Sequence, residues 1–309
     1  MRCLVTGAAG FVGAPLVERL RKERICDVTV TTRSATPAFP PDIRHFPIDI
    51  TEKTDWAAAL DGVDVIVHLA ARVHIMNDRS ANPLADFRRV NTASTLNLAE
   101  QAAGAGVKRF VFISTIKVNG EENDRPFRHD DQPKPLDPYG ISKLESEIGL
   151  REISARTGMD VVIIRPPLVY GPGARGNFAL LVGLVRKKLP LPFASLKNRR
   201  TLVAVQNLID LIITSMQHPA AAGETFLAGD GEDLSTPGLI EGIAAGLGIK
   251  PKLLPFPPSL MQVAARIIGK EAVYQRLCGS LQVDISHARD VLGWEPIVTS
   301  REGLRLAVK

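Results

Sequence analysis

Tyr139-Gly140-Ile141-Ser142-Lys143 sets a phenol and an ammonium four residues apart. On a helix this spacing puts both on one face, one turn apart. A neighbouring cation favours the phenolate and so predicts a lowered Tyr139 pKa. A tyrosine tuned in this way passes a proton to or from a substrate oxygen near neutral pH. Upstream, Phe112-Ile113-Ser114-Thr115 ends an apolar run with hydroxyls that can hold the same oxygen. Taken alone, Tyr139 and Lys143 are an ordinary helix pair. Their meaning changes because of Leu4-Val5-Thr6-Gly7-Ala8-Ala9-Gly10-Phe11-Val12-Gly13 at the start of the chain. This segment follows a strand and opens a helix. Gly7, Gly10 and Gly13 allow a tight turn, close backbone approach to a phosphate and close helix–strand packing. The helix N-terminus, with Phe11 and Val12, then offers free N–H groups to a pyrophosphate. The spacing is G-x-x-G-x-x-G, and a tight turn without ligand is the competing reading.

The next strand refines the cofactor. Dinucleotide sites selective for NAD usually end their second strand in Asp or Glu, which binds the ribose hydroxyls. Here the strand ends Thr31-Thr32-Arg33-Ser34. Arg33 suits a 2′-phosphate, so NAD(P)(H) is expected with NADP(H) favoured. An arginine stacked on adenine or left in solvent would give the same sequence. Asp49 and Ile50, after a third strand, are placed to hold the adenine edge.

The elements that position these groups alternate. Cys3–Thr6, Val28–Thr31, Val63–Leu69, Phe110–Ser114 and Val161–Arg165 read as buried strands. Phe11–Arg24, Leu84–Ala103 and Gly140–Arg156 read as helices. The pattern predicts an α/β fold: a Rossmann-type, doubly wound parallel sheet with a smaller C-terminal α/β substrate-binding region. Residues 1–170 form the NAD(P)-binding part. Residues 171–309, richer in proline, form the substrate part, with pieces returning to the first. The chain has 309 residues, 45% hydrophobic and 5% aromatic, enough for an aliphatic core. Its net charge of +5 is diffuse, without basic runs interleaved with aromatics, so nucleic-acid binding is not favoured. Cys3, Cys26 and Cys278 are scattered and lack zinc-ligand spacing, which predicts reduced thiols in a cytoplasmic protein and no metal. Arg2 and the apolar Cys3–Val17 stretch mimic a signal peptide, but the glycines and the charged Glu18–Arg24 run argue for strand, turn and helix. No stretch is long enough to insert across a membrane.

Together these residues resemble the extended short-chain dehydrogenase/reductases, in the NAD-dependent epimerase/dehydratase branch that acts on nucleotide sugars. The resemblance spans essentially the whole chain. It is carried by Gly7/Gly10/Gly13, His68-Leu69-Ala70-Ala71, Asn91, Ser114-Thr115, Tyr139-x-x-x-Lys143, Arg165-Pro166-Pro167-Leu168-Val169-Tyr170-Gly171-Pro172-Gly173 and Arg200. It implies that Thr115, Tyr139 and Lys143 are the catalytic set, with Lys143 also on the nicotinamide ribose. It implies that Leu69, Ala70 and Ala71 line the cofactor channel and that Asn91 supports the site. Arg200, in Asn198-Arg199-Arg200-Thr201, would grip a substrate diphosphate, and Asn177 would lead a substrate-binding helix. His74 and Lys117 are expected as sugar contacts on the same likeness. Helices Leu84–Ala103 and Gly140–Arg156 would form a homodimer interface.

Departures narrow the chemistry. Ile116 and Lys117 stand where 4,6-dehydratases of the family carry Asp-Glu, so elimination of water is not expected. No cysteine between Cys26 and Cys278 supplies the Cys/His pair of 3,5-epimerases. What remains is chemistry at C4 of a UDP-sugar. Arg33 and the apolar Pro167-Leu168 place reduction of a UDP-4-keto-hexose, such as a 2-acetamido-2,6-dideoxy-4-hexulose, first. A UDP-glucose or UDP-N-acetylglucosamine 4-epimerase with tightly bound NAD is the alternative. A non-catalytic NADP(H) sensor or structural subunit is the alternative from another class.

Overall fold

A computed structural model describes residues 1–33, 39–73, 82–269 and 271–309. The strands, in chain order, are β1 (Arg2–Thr6), β2 (Asp27–Thr32), β3 (Arg44–Pro47), β4 (Val65–His68), β5 (Arg109–Ile113), β6 (Asp160–Arg165), β7 (Leu168–Tyr170), β8 (Pro190–Leu191), β9 (Arg200–Ala204), β10 (Thr225–Leu227), β11 (Asp233–Leu234) and β12 (Lys252–Leu253). Among the helices, α1 (Gly13–Lys22), α2 (Ala57–Leu60), α3 (Pro83–Phe87), α4 (Ser94–Gly104) and α5 (Pro138–Thr157) connect the first six strands. The later ones are α6 (Asn177–Arg186), α7 (Val205–Gln217), α8 (Thr236–Gly246), α9 (Pro258–Ile267), α10 (Glu271–Cys278), α11 (Ser286–Leu292) and α12 (Ser300–Ala307).

Seven strands pair in parallel in the order β3-β2-β1-β4-β5-β6-β10. This is the doubly wound fold, with alternating strand residues dividing the core between two faces. Val5, Val67, Val111 and Val162 face one layer with Leu16, Leu20, Leu208 and Ile212 of α1 and α7. Leu4, Ile66, Phe110 and Ile163 face the other, with Leu98 of α4 and Leu150 of α5. A third cluster packs α6, α8 and α12 around Tyr170 and Leu202 of the small β11-β9-β7 sheet. After residue 170, α7 packs on the first core, and β10 pairs with β6 as the seventh strand.

The strand order reverses between β1 and β4, which opens a crevice at their carboxyl ends, where such sheets bind ligands. Gly7 turns the chain there with φ 68°. A Cβ on Gly7 would lie 2.8 Å from the backbone nitrogen of Ala70, so the two strand ends meet because glycine has none. A Cβ on Gly13 would collide with the Gly7 carbonyl, so α1 packs tightly on the same turn.

The helix expected over Leu84–Ala103 is not uniform. Between α3 and α4, residues Arg88–Ala93 form a π-helical turn. Such a widened turn often marks a functional site, and this one carries Asn91 into the interior, where it is almost fully buried. Gly7→Ala is expected to cost about 1–3 kcal/mol through the left-handed backbone alone, read as a lower urea midpoint, with loss of dinucleotide binding by calorimetry.

Candidate active site

The site is built at the carboxyl ends of β1, β4 and β5 and along one face of α5. The latter begins at Asp137, whose Oδ1 accepts the Gly140 N–H at 2.7 Å, and ends at Gly158 with φ 76°. Tyr139, Lys143 and Glu147 follow at intervals of four residues on this helix and so share a face. The Lys143 ammonium is buried, 3.9 Å from the centroid of the Phe112 ring. Burial pulls its pKa down to about 7, opposed by the Glu147 carboxylate. Lys143 is thus poised between charged and neutral forms near pH 7.

Glu147 is 1% exposed and accepts three hydrogen bonds. Arg165 donates from Nε at 3.0 Å and from Nη2 at 2.5 Å, and Ser114 donates at 2.5 Å. Arg165 Nη1 donates to Asn119 Oδ1 at 3.0 Å. This network occupies Ser114 and leaves Thr115 as the next hydroxyl at the end of β5. Thr115 is nearly buried and caps the short turn that follows, accepting from the Lys117 N–H at 3.4 Å.

The Tyr139 pKa moves against the direction that the Tyr–Lys spacing predicts. Burial and the nearby Asp137 carboxylate push the phenol up. A lysine that is itself buried, and held over Phe112, does not reverse that shift.

Asn91 joins the two sides of the crevice. Its Oδ1 accepts the Arg72 N–H at 2.8 Å, and its Nδ2 donates to Arg72 O at 3.0 Å and Ser142 Oγ at 3.1 Å. The loop after β4 is thereby tied to the Tyr139–Lys143 helix. Beneath it, His68 lies between the Thr6 and Thr95 hydroxyls, at 2.8 and 3.0 Å, and stacks on Phe112. Burial and Lys143 hold His68 down at about 3, so it is neutral.

The cradle fits a dinucleotide. No side chain caps α1, and its first turn has no acid, so its end is suited to an anion. Gly10 closes the turn with its N–H on Gly7 O at 2.9 Å. Phe11, Val12, Leu69, Ala70 and Ala71 are all half-buried around the crevice. Arg33 follows β2 and is exposed, as is Asp49, whereas Ile50 packs against the core.

Arg200 opens β9 and donates to Gly279 O at 2.9 Å. Burial lowers its pKa, and it forms no carboxylate pair among the described residues. Asn177 is the first residue of α6. Lys117 is not free for a sugar here: its ammonium bonds Asp137 and, at 3.0 Å, Glu121. His74 lies outside the described residues. Sequence reasoning missed Glu147, Asn119 and Ser142. The one available signal was the position of Glu147, four residues beyond Lys143. Among the described residues no group of three or more His, Cys, Asp or Glu could hold a metal ion. No described helix is long and apolar enough to cross a membrane.

A glycine cradle facing a Tyr–Lys helix across the switch point of a doubly wound sheet defines a dinucleotide-dependent enzyme of the extended short-chain dehydrogenase/reductase class. Residues 3–229 match the NAD dependent epimerase/dehydratase family, and the chain belongs to it. A UDP-glucose 4-epimerase of Vibrio cholerae is 45% identical over 98% of this chain and 93% of its own length. An N-acetyl-alpha-D-glucosaminyl-diphospho-ditrans,octacis-undecaprenol 4-epimerase of Escherichia coli O157:H7 is 28% identical over 91% of this chain and 86% of its own. The crystal structure of UDP-glucuronic acid 4-epimerase from Bacillus cereus in complex with NAD superposes with a TM-score of 0.80 at 25% identity, covering 100% of this chain and 96% of that one.

The depressed His68 pKa has a consequence for stability. The folded value lies below the ordinary 6.5, so the unfolded chain takes up the proton first. Stability is therefore lost as pH falls below 6.5 towards 3, by about 1.4 kcal/mol per unit for one such group. Urea unfolding at pH 7 and pH 5 is expected to show a loss about 2 kcal/mol larger in the native protein than in His68→Gln.

Proposed function

We propose that the protein is an NAD-dependent 4-epimerase of a UDP-hexose. The observation that carries this reading is the 45% identity, over nearly the full length of both chains, to the Vibrio cholerae UDP-glucose 4-epimerase. Reduction of a 4-keto sugar, which the sequence placed first, has less support: the similar proteins named above are 4-epimerases, and the Bacillus cereus one holds NAD.

In this reading the Gly7–Gly13 cradle and the N-terminus of α1 hold the pyrophosphate, and Leu69, Ala70 and Ala71 line the path to the nicotinamide. NAD held there would supply a reversible hydride acceptor for C4. Tyr139 removes the C4 hydroxyl proton and later restores it, while Thr115 holds the same oxygen. Lys143 binds the nicotinamide ribose. When protonated, it stabilises the phenolate that burial alone disfavours. Glu147 supports the protonated state of Lys143. Asn91 keeps α5 and the β4 loop in register, so that the phenol and the cofactor channel meet. Arg200, half-buried without a carboxylate, takes the substrate diphosphate as its counter-charge. Asn177 heads α6, which shares a core cluster with Leu202 of β9.

Purified protein is expected to release close to one NAD per chain on denaturation and to interconvert a UDP-hexose with its C4 epimer. Tyr139→Phe should retain the fold and lower turnover by about 10²–10⁴-fold. Full turnover in that variant would remove the catalytic assignment of Tyr139, whereas a native protein that binds dinucleotide and turns over no UDP-sugar would favour a dinucleotide sensor. Arg33 is the observation that favours the second reading, an NADPH-dependent 4-keto reductase. A protein that arrives without nucleotide, consumes NADPH with a UDP-4-keto-hexose and loses its preference over NADH in Arg33→Ala would establish that reading instead. A homodimer through the outer faces of α3–α4 and α5 also belongs to this proposal. Those faces carry the Arg88–Glu145 and Arg156–Glu100 pairs around exposed Ile148. Light scattering at micromolar concentration is expected to give twice the 33.4 kDa chain mass.

A further inference from the structure

The helix α9 has no buried residue. Leu260, Val263 and Ile267 recur at helical spacing along one side and are 55%, 55% and 78% exposed. Phe256, just before the helix, and Ile268, at its end, are also exposed, at 40% and 68%. Spacings of three and four residues set such a stripe on one face, with Gln262 and Arg266 turned away from it. The helix is not frayed chain: Tyr274 of α10 donates to Pro258 O at 3.1 Å, and Arg266 pairs with Glu271 at 2.9 Å, closing a two-helix hairpin.

The sequence that carries the stripe is basic. From residue 250 to 276 the sequence has five basic residues, Lys250, Lys252, Arg266, Lys270 and Arg276, against the single acid Glu271. Exposed Lys187, Lys188 and Leu189 lead into β8, which pairs with β12 beside Lys252, and so extend the same basic and apolar border. An aliphatic face bordered by cations matches the polarity of a bilayer surface, with acyl chains below and anionic headgroups at the rim. A second copy is the poorer occupant, because two-fold pairing of this patch would set the same cations against one another.

We propose that the α9 face docks the enzyme on an anionic phospholipid bilayer. At ten residues α9 is about 15 Å long, so it lies in the interface and does not cross. From there α10 runs about 12 Å to Leu277 and Gly279, whose carbonyls meet Asn198 and Arg200. Docking therefore brings the Arg200 end of the substrate region close to the membrane surface.

The test is sedimentation of the full-length protein with extruded vesicles of phosphatidylcholine alone or with about 30% phosphatidylglycerol. Binding is expected to the anionic vesicles, to weaken in high salt, and to be slight on phosphatidylcholine. The double variant Leu260→Asp/Ile267→Asp changes only exposed side chains, and circular dichroism with the urea midpoint reports its fold. It is expected to lower vesicle binding at least about tenfold, and Lys250→Glu/Lys252→Glu to lower it with a flatter salt dependence. No binding to anionic vesicles, or equal binding by the aspartate variant, would overturn the proposal. So would an oligomer that the aspartate variant dissociates while vesicle binding is absent, which would give the face to a second copy. None of these outcomes depends on the identity of the sugar or on the epimerase reading.

Discussion

A carboxylate almost without solvent holds the active end of the sheet together. Glu147 binds Arg165 at the end of β6 and Ser114 at the end of β5, while projecting from the helix that carries Tyr139 and Lys143. A buried ion pair of this kind is a weak source of net stability, because desolvation opposes the Coulomb attraction. It is strongly position-specific, because either partner left alone is a costly buried charge. The pair therefore acts as a register pin. With Asn119 on Arg165 and Asn91 on Ser142, it permits α5 one rotation about its axis, the one that turns Lys143 under Phe112 and Tyr139 into the crevice.

That pin also explains why Ser114 and Thr115 are not equivalent. The two hydroxyls are adjacent in sequence, and extended chain points neighbours to opposite sides. One is drawn inward to the carboxylate, and the other remains at the rim. The charge of Lys143 is then set by two opposing influences, burial that disfavours it and the Glu147 carboxylate one turn away that sustains it. His68, kept neutral and hydrogen-bonded on both ring nitrogens, adds no second cation to this interior.

Much of this was legible in the sequence where local pattern and global fold agree. The glycine spacing, the β-branched runs of β1, β2, β5 and β6, and the Tyr139–Lys143 interval are local signals, and the sheet is built from them. Other features depend on burial, which spacing does not report. Glu147 reads as one more charged residue on a solvated helix until Arg165 is brought to it from beyond the helix. The rise of the Tyr139 pKa is a desolvation effect, invisible in a Tyr-x-x-x-Lys interval. The π-helical turn around Asn91 falls inside a stretch whose hydrophobic pattern is that of an ordinary helix. The strand Thr225–Leu227 is too short to stand out among the irregular segments near it. Arg33 stands where a carboxylate is missing, and the lack of one group does not by itself select a cofactor.

The late arrival of β10 has a consequence for how the chain is made. During synthesis β6 leaves the ribosome well before the segment that will cover its outer edge. Until then Val161–Ile164 present an apolar strand with unpaired backbone groups, the kind of edge that recruits other chains. Non-local pairing of this sort is slow to form. The first 170 residues are thus not an independent folding unit: their sheet is closed only when the polypeptide has gone out through the later elements and come back. Any attempt to express residues 1–170 alone would inherit that open edge.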